Sequence, residues 1–306
     1  MFGNQPYIVA QKVDIRSFFS SKTSVSMKRE DKIDPFVSGN KFRKLKYNLL
    51  EAKRQGCDTI LTFGGAYSNH IAAVASAGND FGVKTVGIIR GEELINRIQG
   101  NPTLVYAKEK NMQLNFITRE DYSRKNEPDF IQSLVEKFGV FYLLPEGGTN
   151  EFAVKGCTEI LTETDQYFDY ICTSVGTGGT IAGLIEASLP HQTVLGFSAL
   201  KGNFQKEIVS EYTNKTNFEI TDAYCFGGYA KIDSELICFI NKFKATTGIP
   251  LDPVYTGKMM FGIIDLLKTG YFKENSRILA IHTGGLQGIS GMNQLLKRKN
   301  LPQINL

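Results

Sequence analysis

Short apolar runs that end in paired glycines recur along this chain and alternate with longer segments of helical periodicity. Seven runs rich in β-branched and aromatic residues predict strands, over 59–63, 85–89, 114–117, 141–144, 170–175, 193–198 and 278–282. Apolar residues three and four apart predict helices between them, for example over 71–77, 130–138, 181–189 and 236–246. This alternation indicates an α/β protein with open, largely parallel sheets that are flanked by helices.

Four of the predicted strands are followed, after at most two intervening residues, by a glycine pair, at 64–65, 147–148, 178–179 and 284–285. A single pair is explained well enough as a turn from strand to helix. In open α/β sheets, however, ligands bind beyond the carboxyl ends of the strands, where helix N-termini offer free N–H groups. The four pairs therefore predict that several strand ends meet at one ligand-binding crevice.

The length of 306 residues allows one large domain or two smaller ones. No repeat, low-complexity segment or flexible linker separates two halves, so a second domain must be a compact insertion. Residues 44–150 have their own alternation of strands and helices. We predict a large cofactor-binding domain of residues 1–43 plus 151–306, and a smaller inserted α/β domain of residues 44–150.

Charge and cysteine content exclude several classes of partner. The balance of 35 basic and 31 acidic residues gives a net charge of only +4, so nucleic acid is not an expected partner. The five cysteines are scattered, without a C-x-x-C pair or metal-ligand spacing, which predicts a reduced, cytoplasmic protein without a metal site. No segment approaches 18 apolar residues and no leader is evident, so neither a membrane partner nor export is expected.

The segment Ser38-Gly-Asn-Lys41 places a lysine at the start of a charged helix. A lysine amine can bond covalently to a carbonyl cofactor when its surroundings lower its pKa. Most lysines at helix starts are simply solvated. The run Lys41, Arg43, Lys44 and Lys46 precedes leucines at helical spacing, which predicts the solvent-facing side of an amphipathic helix.

The loop between the strand at 170–175 and the next helix predicts a phosphate site. Its glycines allow close backbone approach, and the amides and hydroxyls at the helix start suit a phosphate dianion. The loop lacks the Lys-Ser/Thr ending of a P-loop, and Ile181 stands where a dinucleotide fingerprint has glycine, so a phosphate monoester fits better. The predicted binding residues are Gly176, Thr177, Gly178, Gly179 and Thr180.

Three further loops carry candidate site residues. Ser68 and Asn69 stand at a helix start, where they suit a carboxylate or act simply as the N-cap, and His70 beside them has no obvious partner for general-base chemistry. Tyr255 precedes a glycine and could move a proton or stack on a planar ring, although buried tyrosines are common. Thr283, at the end of the last predicted strand, could donate to a ring nitrogen.

Five motifs occur in order and at suitable spacing: 38–41, 64–70, 176–180, 255–258 and 282–285. In these motifs, from about residue 28 to residue 291, the chain resembles the D-cysteine desulfhydrase and 1-aminocyclopropane-1-carboxylate deaminase group of pyridoxal-phosphate enzymes. The resemblance implies the tryptophan synthase β-like fold (fold type II), pyridoxal 5'-phosphate as cofactor, a small amino-acid substrate and a homodimer.

The resemblance also implies roles for individual residues. Lys41 would bond covalently to the cofactor, residues 176–180 would bind its phosphate, and Asn69 would lie near its ring hydroxyl. The implied catalytic residues are Lys41, Ser68, Tyr229 and Tyr255. The implied substrate-binding residues are Ser68, Asn69, His70 and Tyr229, while Tyr255 and Thr283 would contact the cofactor ring.

The choice within this group depends on the ring nitrogen. By the resemblance, the deaminase branch has a glutamate directly after the tyrosine of the third loop, where this chain has Thr256. A hydroxyl there, with Thr283, would leave the nitrogen mostly neutral, which favours the desulfhydrase-like branch. This chain departs from the family pattern in the carboxylate loop. Tyr67 stands where the relatives usually carry glutamine, and the arginine that they have soon after the Asn-His pair is missing. These differences leave the identity of the substrate open.

The predicted reaction is therefore α,β-elimination, with D-cysteine as the best substrate, giving pyruvate, sulfide and ammonia. Ring opening of 1-aminocyclopropane-1-carboxylate to 2-oxobutanoate and ammonia is the first alternative. A cofactor-binding protein without efficient turnover is the second. An unrelated sugar-phosphate or nucleotide enzyme that uses only the 176–180 loop is a further alternative.

Overall fold

The computed structural model of the protein describes residues 8–202 and 204–305. Within them the larger of two sheets has six strands in the order β1-β2-β10-β7-β8-β9. These strands are β1 (Ala10–Val13), β2 (Ser24–Lys28), β7 (Tyr170–Val175), β8 (Thr193–Ser198), β9 (Phe218–Thr221) and β10 (Arg277–Ile281). All neighbours pair in parallel except β1 and β2, which are antiparallel.

The smaller sheet has four parallel strands in the order β5-β4-β3-β6. These strands are β3 (Thr59–Gly64), β4 (Lys84–Arg90), β5 (Gln113–Ile117) and β6 (Tyr142–Leu144). The predicted α/β architecture with two largely parallel sheets is thus present.

Eleven α-helices flank the two sheets in the described part of the chain. They are α1 (Asn40–Arg54), α2 (Asn69–Phe81), α3 (Pro102–Glu109), α4 (Arg119–Ser123), α5 (Pro128–Phe138), α6 (Glu151–Thr158), α7 (Gly179–Ala187), α8 (Phe204–Ser210), α9 (Ser234–Thr247), α10 (Thr256–Lys268) and α11 (Gly288–Arg298).

Both faces of the large sheet are buried, which explains the continuous apolar runs of its central strands. Successive residues of β7 point to opposite faces, as in any strand. Cys172 packs with residues of α9, α10 and α11, whereas Ile171 packs with residues of α6 and α7. The small sheet is covered in the same way, by α1, α2 and α3 on one face and by α4 and α5 on the other.

Each of the seven predicted strands is present, with ends that differ by at most one residue from the prediction. The sequence analysis missed β1, β2 and β9. These strands are only four or five residues long, and Ser24–Lys28 and Phe218–Thr221 carry polar or charged residues inside them. Short strands with mixed polarity lack the apolar run that made the central strands recognisable.

The two sheets divide the sequence near the predicted domain limits. The small sheet lies between residues 59 and 144, inside the predicted insertion of 44–150. The upper limit coincides with Asn150, the N-cap of α6. The lower limit falls within α1, so this helix connects the two parts of the chain. The exact domain division remains a prediction.

The prediction of a solvated basic face on α1 is wrong. Lys41 and Lys46 are only partly exposed, and the ammonium of Lys46 pairs with Glu159 at 2.8 Å. Arg43 and Lys44 are buried, with exposed fractions of 3% and 2%. The Arg43 guanidinium donates from Nε and Nη2 to the fully buried carboxylate of Glu30, at 2.8 and 3.0 Å. This pair anchors the helix that carries Lys41, and Lys44 points toward the loops described below.

Residues 8–202 and 204–305 contain neither a candidate membrane span nor a candidate metal site. No helix there combines the length and apolar character that crossing a bilayer requires. No group of three or more histidine, cysteine or acidic side chains is arranged to hold a metal ion in the same part of the chain.

Candidate active site

A cavity of about 400 Å³ lies between the two sheets, a volume typical of small-molecule sites. Glycines from all four predicted pairs line it, namely Gly65, Gly147, Gly178, Gly284 and Gly285. They follow β3, β6, β7 and β10, so strand ends from both sheets meet here. The crevice predicted from the glycine pairs is present in the structure.

Lys41 enters this cavity from the first turn of α1. The preceding Gly39 has a φ of 64° and packs so closely on the next loop that a Cβ there would lie 2.0 Å from the carbonyl oxygen of Thr283. The backbone N–H of Asn40 donates to the same oxygen at 3.2 Å. These contacts fix the start of the helix, and Lys41 Nζ donates to Asn40 Oδ1 at 3.0 Å.

The environment of Lys41 favours a neutral amine. Burial is the main cause that lowers its pKa to about 7, and the positive charge of Lys44 lowers it further. A large fraction of these amines is therefore unprotonated near neutral pH, which is the state that attacks a carbonyl carbon.

The loop after β7 forms a cradle for an anion. Gly178 has a φ of 85°, and α7 begins at the next residue with its first N–H groups facing the loop. The Thr180 hydroxyl accepts a hydrogen bond from Asn40 Nδ2 at 2.8 Å. The predicted residues Gly176, Thr177, Gly178 and Thr180 line the cavity. Gly179 lies behind this wall, where a Cβ would stand 2.9 Å from Thr149 Cγ2.

Lys44 adds a positive charge to the cradle and was not identified from the sequence. Its Nζ donates to Gly147 O at 3.0 Å, to Thr149 Oγ1 at 2.9 Å and to Thr177 Oγ1 at 3.3 Å. Burial lowers the pKa of Lys44 to about 8, so it is mostly charged at neutral pH. Its spacing of three residues from Lys41 on one helix was the available signal.

In the loop after β3, Ser68 is the N-cap of α2. Its Oγ accepts from the backbone N–H groups of His70 and Ile71 at 3.2 and 3.4 Å. Ser68 can cap the helix and also bind a carboxylate, because its hydroxyl hydrogen is still available to a ligand. Ser68 and Asn69 line the cavity beside the N-terminus of α2.

His70 is a buried, neutral histidine in the cavity wall. Thr62 Oγ1 donates to Leu144 O, so it accepts from His70 Nε2 at 2.8 Å, which assigns the proton to that nitrogen. Burial and the charges of Lys41 and Lys44 hold the pKa of His70 well below 6.5. Its Nδ1 has no hydrogen-bond partner among the described residues, so it can accept a hydrogen bond from a ligand.

Two tyrosines from the large-sheet side form another wall. A Cβ on Gly176 would lie 3.2 Å from Tyr255 Cε1, so the Tyr255 ring lies against the phosphate-type loop. Tyr229 meets Tyr255 edge to face, with ring centroids 6.2 Å apart. Burial raises the pKa of both phenols, that of Tyr255 well above 10. Buried Lys258 holds the turn before Tyr229 by donating to the carbonyl oxygens of Cys225 and Gly228.

The structure separates the two threonines that the sequence analysis assigned to one ring nitrogen. Thr283 lines the cavity, and its hydroxyl lies 3.1 Å from that of Ser174, which the sequence analysis did not select. Thr256 is fully buried and does not line the cavity. Its hydroxyl donates to the buried Asp252 carboxylate at 2.8 Å, and its backbone N–H donates to the same group.

Arg90 and Glu146 line the cavity on the small-sheet side and were also missed. Each stands where a strand ends, Arg90 as the last residue of β4 and Glu146 two residues after β6. Both therefore occupy the kind of position, at the carboxyl end of a parallel strand, where ligands bind in open α/β sheets.

The residues around the cavity fit pyridoxal phosphate. An aldehyde requires a neutral amine, which Lys41 supplies. A phosphate dianion requires positive charge and free hydrogen-bond donors. The N-terminus of α7 and the buried ammonium of Lys44 supply both at one end of the cavity. A planar aromatic ring requires a flat wall and polar partners at its edge, which Tyr255, Asn69 and the Ser174–Thr283 hydroxyl pair provide.

Comparisons with known proteins agree with this chemistry. Residues 8–284 match the model of the family described as "Pyridoxal-phosphate dependent enzyme". A Thermotoga maritima protein named "Putative 1-aminocyclopropane-1-carboxylate deaminase" is 35% identical over 296 residues, which cover 89% of this chain and 92% of that protein. The mitochondrial "Bifunctional D-cysteine desulfhydrase/1-aminocyclopropane-1-carboxylate deaminase" of Arabidopsis thaliana is 30% identical over 296 residues, covering 87% of this chain and 73% of that protein.

Solved structures confirm the predicted fold type II. The crystal structure of an "ACC deaminase homologue" is similar with a TM-score of 0.80 and 27% sequence identity, covering 95% of this chain and 94% of that chain. An O-ureido-L-serine synthase shares the fold with a TM-score of 0.65 and 17% identity, covering 92% of this chain and 90% of that one. The match overturns the alternative of an unrelated sugar-phosphate or nucleotide enzyme. The chain belongs to the family of pyridoxal-phosphate-dependent enzymes, in the group of the 1-aminocyclopropane-1-carboxylate deaminases and D-cysteine desulfhydrases.

Proposed function

We propose that the protein is a lyase that acts on a small amino acid by α,β-elimination, with D-cysteine as substrate and pyruvate, sulfide and ammonia as products. The observation that carries the proposal is the position of the Lys41 amine. It enters a cavity that has an anion cradle at residues 176–180 and a second helix N-terminus at Ser68 and Asn69. This arrangement suits a phosphorylated cofactor and the carboxylate of an amino acid together.

The proposed binding roles follow the walls of the cavity. Lys41 bonds to the cofactor, the loop at 176–180 with Lys44 holds its phosphate, and Asn69 contacts its ring hydroxyl. Ser68 and Asn69 bind the substrate carboxylate, while the unprotonated Nδ1 of His70 accepts a hydrogen bond from the substrate. When bound, pyridoxal phosphate supplies the electron sink that lets bonds to the α-carbon of an amino acid break.

The chain's own groups then move the protons. Once the amino group of the substrate has replaced it on the cofactor, the released and neutral Lys41 amine accepts the α-proton of the substrate, for which a pKa of about 7 is well matched near neutral pH. Tyr229 and Tyr255 remain protonated, because burial raises their pKa. They are the candidate donors of a proton to the sulfur that leaves the β-carbon.

The hydroxyl pair of Ser174 and Thr283 supports elimination over ring opening. A hydroxyl partner leaves a ring nitrogen mostly neutral, whereas a carboxylate keeps it protonated and strengthens the electron sink. Thr256 does not support this preference for elimination, since its side chain donates to Asp252 and does not line the cavity.

Deamination of 1-aminocyclopropane-1-carboxylate is the second candidate function. The names of the Thermotoga maritima and Arabidopsis thaliana relatives both include this activity. Its products would be 2-oxobutanoate and ammonia. A protein that binds the cofactor without efficient turnover is the remaining alternative.

The test is a spectrum of the purified holoenzyme, followed by a panel of D- and L-cysteine, D- and L-serine and 1-aminocyclopropane-1-carboxylate. Release of pyruvate and sulfide, fastest with D-cysteine, is the expected result. Release of 2-oxobutanoate from the cyclopropane substrate would support the second candidate. A change in the visible spectrum without any oxo-acid product would support the binding protein. Lys41→Ala should lose both the covalently bound cofactor and turnover.

Assembly as a homodimer and a cytoplasmic location are further proposals, supported by the resemblance to the same group of enzymes. Light scattering during size-exclusion chromatography tests the first, with twice the 34.0 kDa chain mass as the expected value. Fractionation of cells that express the protein tests the second.

A further inference from the structure

One cation of the cavity is neither paired with an acid nor hydrogen-bonded within the described part of the chain. Arg90 lines the cavity at the end of β4, yet no salt bridge or hydrogen bond of its side chain occurs within residues 8–202 and 204–305. The two lysines of the wall are engaged, Lys41 with Asn40 and Lys44 with three oxygen atoms. Because Lys41 and Lys44 are already assigned to the aldehyde and the phosphate of the cofactor, the guanidinium of Arg90 is a further charge of the cavity that can bind the substrate.

The surroundings of Arg90 hold its side chain without neutralising it. Its guanidinium carbon lies 5.6 Å from the centroid of the Tyr122 ring, a distance typical of cation–π contacts. Glu146 is the acidic residue of the cavity wall, but its carboxylate accepts from Tyr122 Oη at 2.7 Å and lies 3.5 Å from Lys125 Nζ. The acid thus pairs with these neighbours, and it forms no ion pair with Arg90.

Arg90 also adjoins the loop that begins α2. A Cβ on Gly65 would lie 3.9 Å from Arg90 Nη2, so the guanidinium is in contact distance of this loop. The N–H of Ser68 donates to Gly65 O at 3.0 Å, which makes the two residues the ends of one tight turn. The Ser68 hydroxyl hydrogen, the N-terminus of α2 and the Arg90 guanidinium therefore border the same part of the cavity.

We propose that Arg90 recognises the α-carboxylate of the substrate, and that it thereby selects free amino acids over their esters and amides. The guanidinium offers planar, paired N–H donors that match a carboxylate, and the helix N-terminus adds favourable partial charge. Ser68 supplies a neutral donor from the other side of the turn. This inference rests on the proposed function, since it requires an amino-acid substrate.

The experiment compares wild-type holoenzyme with Arg90→Met and Arg90→Lys, using D-cysteine and D-cysteine methyl ester as probes. Dissociation constants come from titration of the cofactor's visible absorbance, and KM and kcat from sulfide release. Removal of a charged hydrogen bond predicts a dissociation constant and KM for D-cysteine about 10- to 100-fold higher in Arg90→Met. The ester, which has no negative charge, should bind the wild type and Arg90→Met about equally.

Arg90→Lys is the matched control, because it keeps the charge and loses the planar fork. It should recover part of the affinity for D-cysteine and leave the affinity for the ester unchanged. Cofactor content and the thermal unfolding temperature should match wild type in both variants, since the side chain lies on the exposed edge of the cavity.

Equal loss of affinity for acid and ester would overturn the proposal, as would an unchanged dissociation constant for D-cysteine. A loss confined to D-aspartate, added as a further probe, would assign Arg90 to a side-chain carboxylate and overturn it too. If the wild type binds D-cysteine without releasing sulfide, the proposed reaction fails while the binding test of Arg90 still stands. If no amino acid changes the spectrum of the wild type, both fail.

Discussion

The ring of Tyr67 lies directly against Gly291. A Cβ at residue 291 would stand 2.7 Å from Tyr67 Cδ1 and 2.8 Å from Cε1. Tyr67 belongs to the loop before α2, and Gly291 belongs to α11, so the contact joins the small-sheet and large-sheet sides of the molecule. Tyr67 does not line the cavity. The tyrosine that the sequence analysis treated as a change in the carboxylate loop therefore packs against a helix.

Gly291→Ala should displace the Tyr67 ring and, with it, the Ser68–Asn69 segment. We expect KM for the amino acid to rise on the order of 10-fold or more, since small misplacements of binding groups weaken catalysis strongly. Cofactor content should be retained. Steady-state kinetics with D-cysteine and the visible spectrum measure the two effects.

A double variant provides the control for this prediction. In Tyr67→Ala/Gly291→Ala the clash is absent, so KM should return toward that of Tyr67→Ala alone. A KM that stays as high in the double variant as in Gly291→Ala would mean that the alanine acts within α11 and not through the tyrosine.

The Lys41 amine should react with aldehydes in a pH-dependent way. Its pKa is lowered to about 7, so roughly a tenth of the amines are neutral at pH 6 and roughly nine tenths at pH 8. The rate at which cofactor-free protein forms its visible adduct with pyridoxal should therefore rise with pH and level off above the pKa. Lys41→Ala should form no such adduct, and a midpoint near the usual lysine value of 10.5 would contradict the prediction.

Lys44 should matter for phosphate and not for the aldehyde. Lys44→Met is expected to weaken the binding of pyridoxal phosphate about 10- to 100-fold, because a charged donor to the phosphate is lost. Binding of pyridoxal, which has no phosphate, should change little. Equilibrium titrations of the cofactor-free protein with both compounds decide the point, and equal losses for both would remove Lys44 from the phosphate site.

The same residue predicts a loss of affinity at high pH. The pKa of Lys44 is lowered to about 8, so its positive charge is present below pH 8 and lost above it. Affinity for pyridoxal phosphate should therefore decline as the pH rises from 8 to 9.5, and Lys44→Met should show a much smaller decline. An identical pH dependence in both proteins would contradict this assignment.

Arg43→Met should destabilise the fold, because it leaves the buried Glu30 carboxylate without its partner. Breaking a buried pair costs about 3–5 kcal/mol in the free energy of unfolding. Arg54→Met is the matched control on the same helix, since Arg54 is exposed and pairs with Glu51 at the surface, where ion pairs contribute little. Urea denaturation compares the two variants, and equal midpoints would show that the buried pair does not stabilise the protein.

Much of the fold was predictable because parallel strands that are buried on both faces leave long apolar runs. Tyr170–Val175 and Thr193–Ser198 were identified to the residue. Edge strands were not, since β9 at the sheet edge is only four residues long and includes Glu219. Its pairing with β8 is a tertiary contact that local sequence does not encode.

Most of the candidate site was predictable because its residues occur in loops with glycines and hydroxyls. Lys44 and Arg90 were not selected, because a basic residue within a helix or at a strand end usually faces solvent. Thr256 was placed wrongly relative to the cavity, since one residue of helical rotation decides whether a side chain faces a ligand or a neighbour such as Asp252. Neighbours along the chain do not fix that direction.

Helix α1 connects the reactive amine of Lys41 to the apolar interior around the small sheet. Its first turn is fastened to Thr283 and carries the reactive amine, whereas Leu45, Leu49 and Ala52 are embedded in the apolar interior shared with α2 and α3. Residues 41 and 49 are about 12 Å apart along one stiff rod. Substitutions deep in that interior should therefore tilt the amine and alter turnover from a distance, so a search for variants with new reactivity should extend well beyond the residues that a substrate touches.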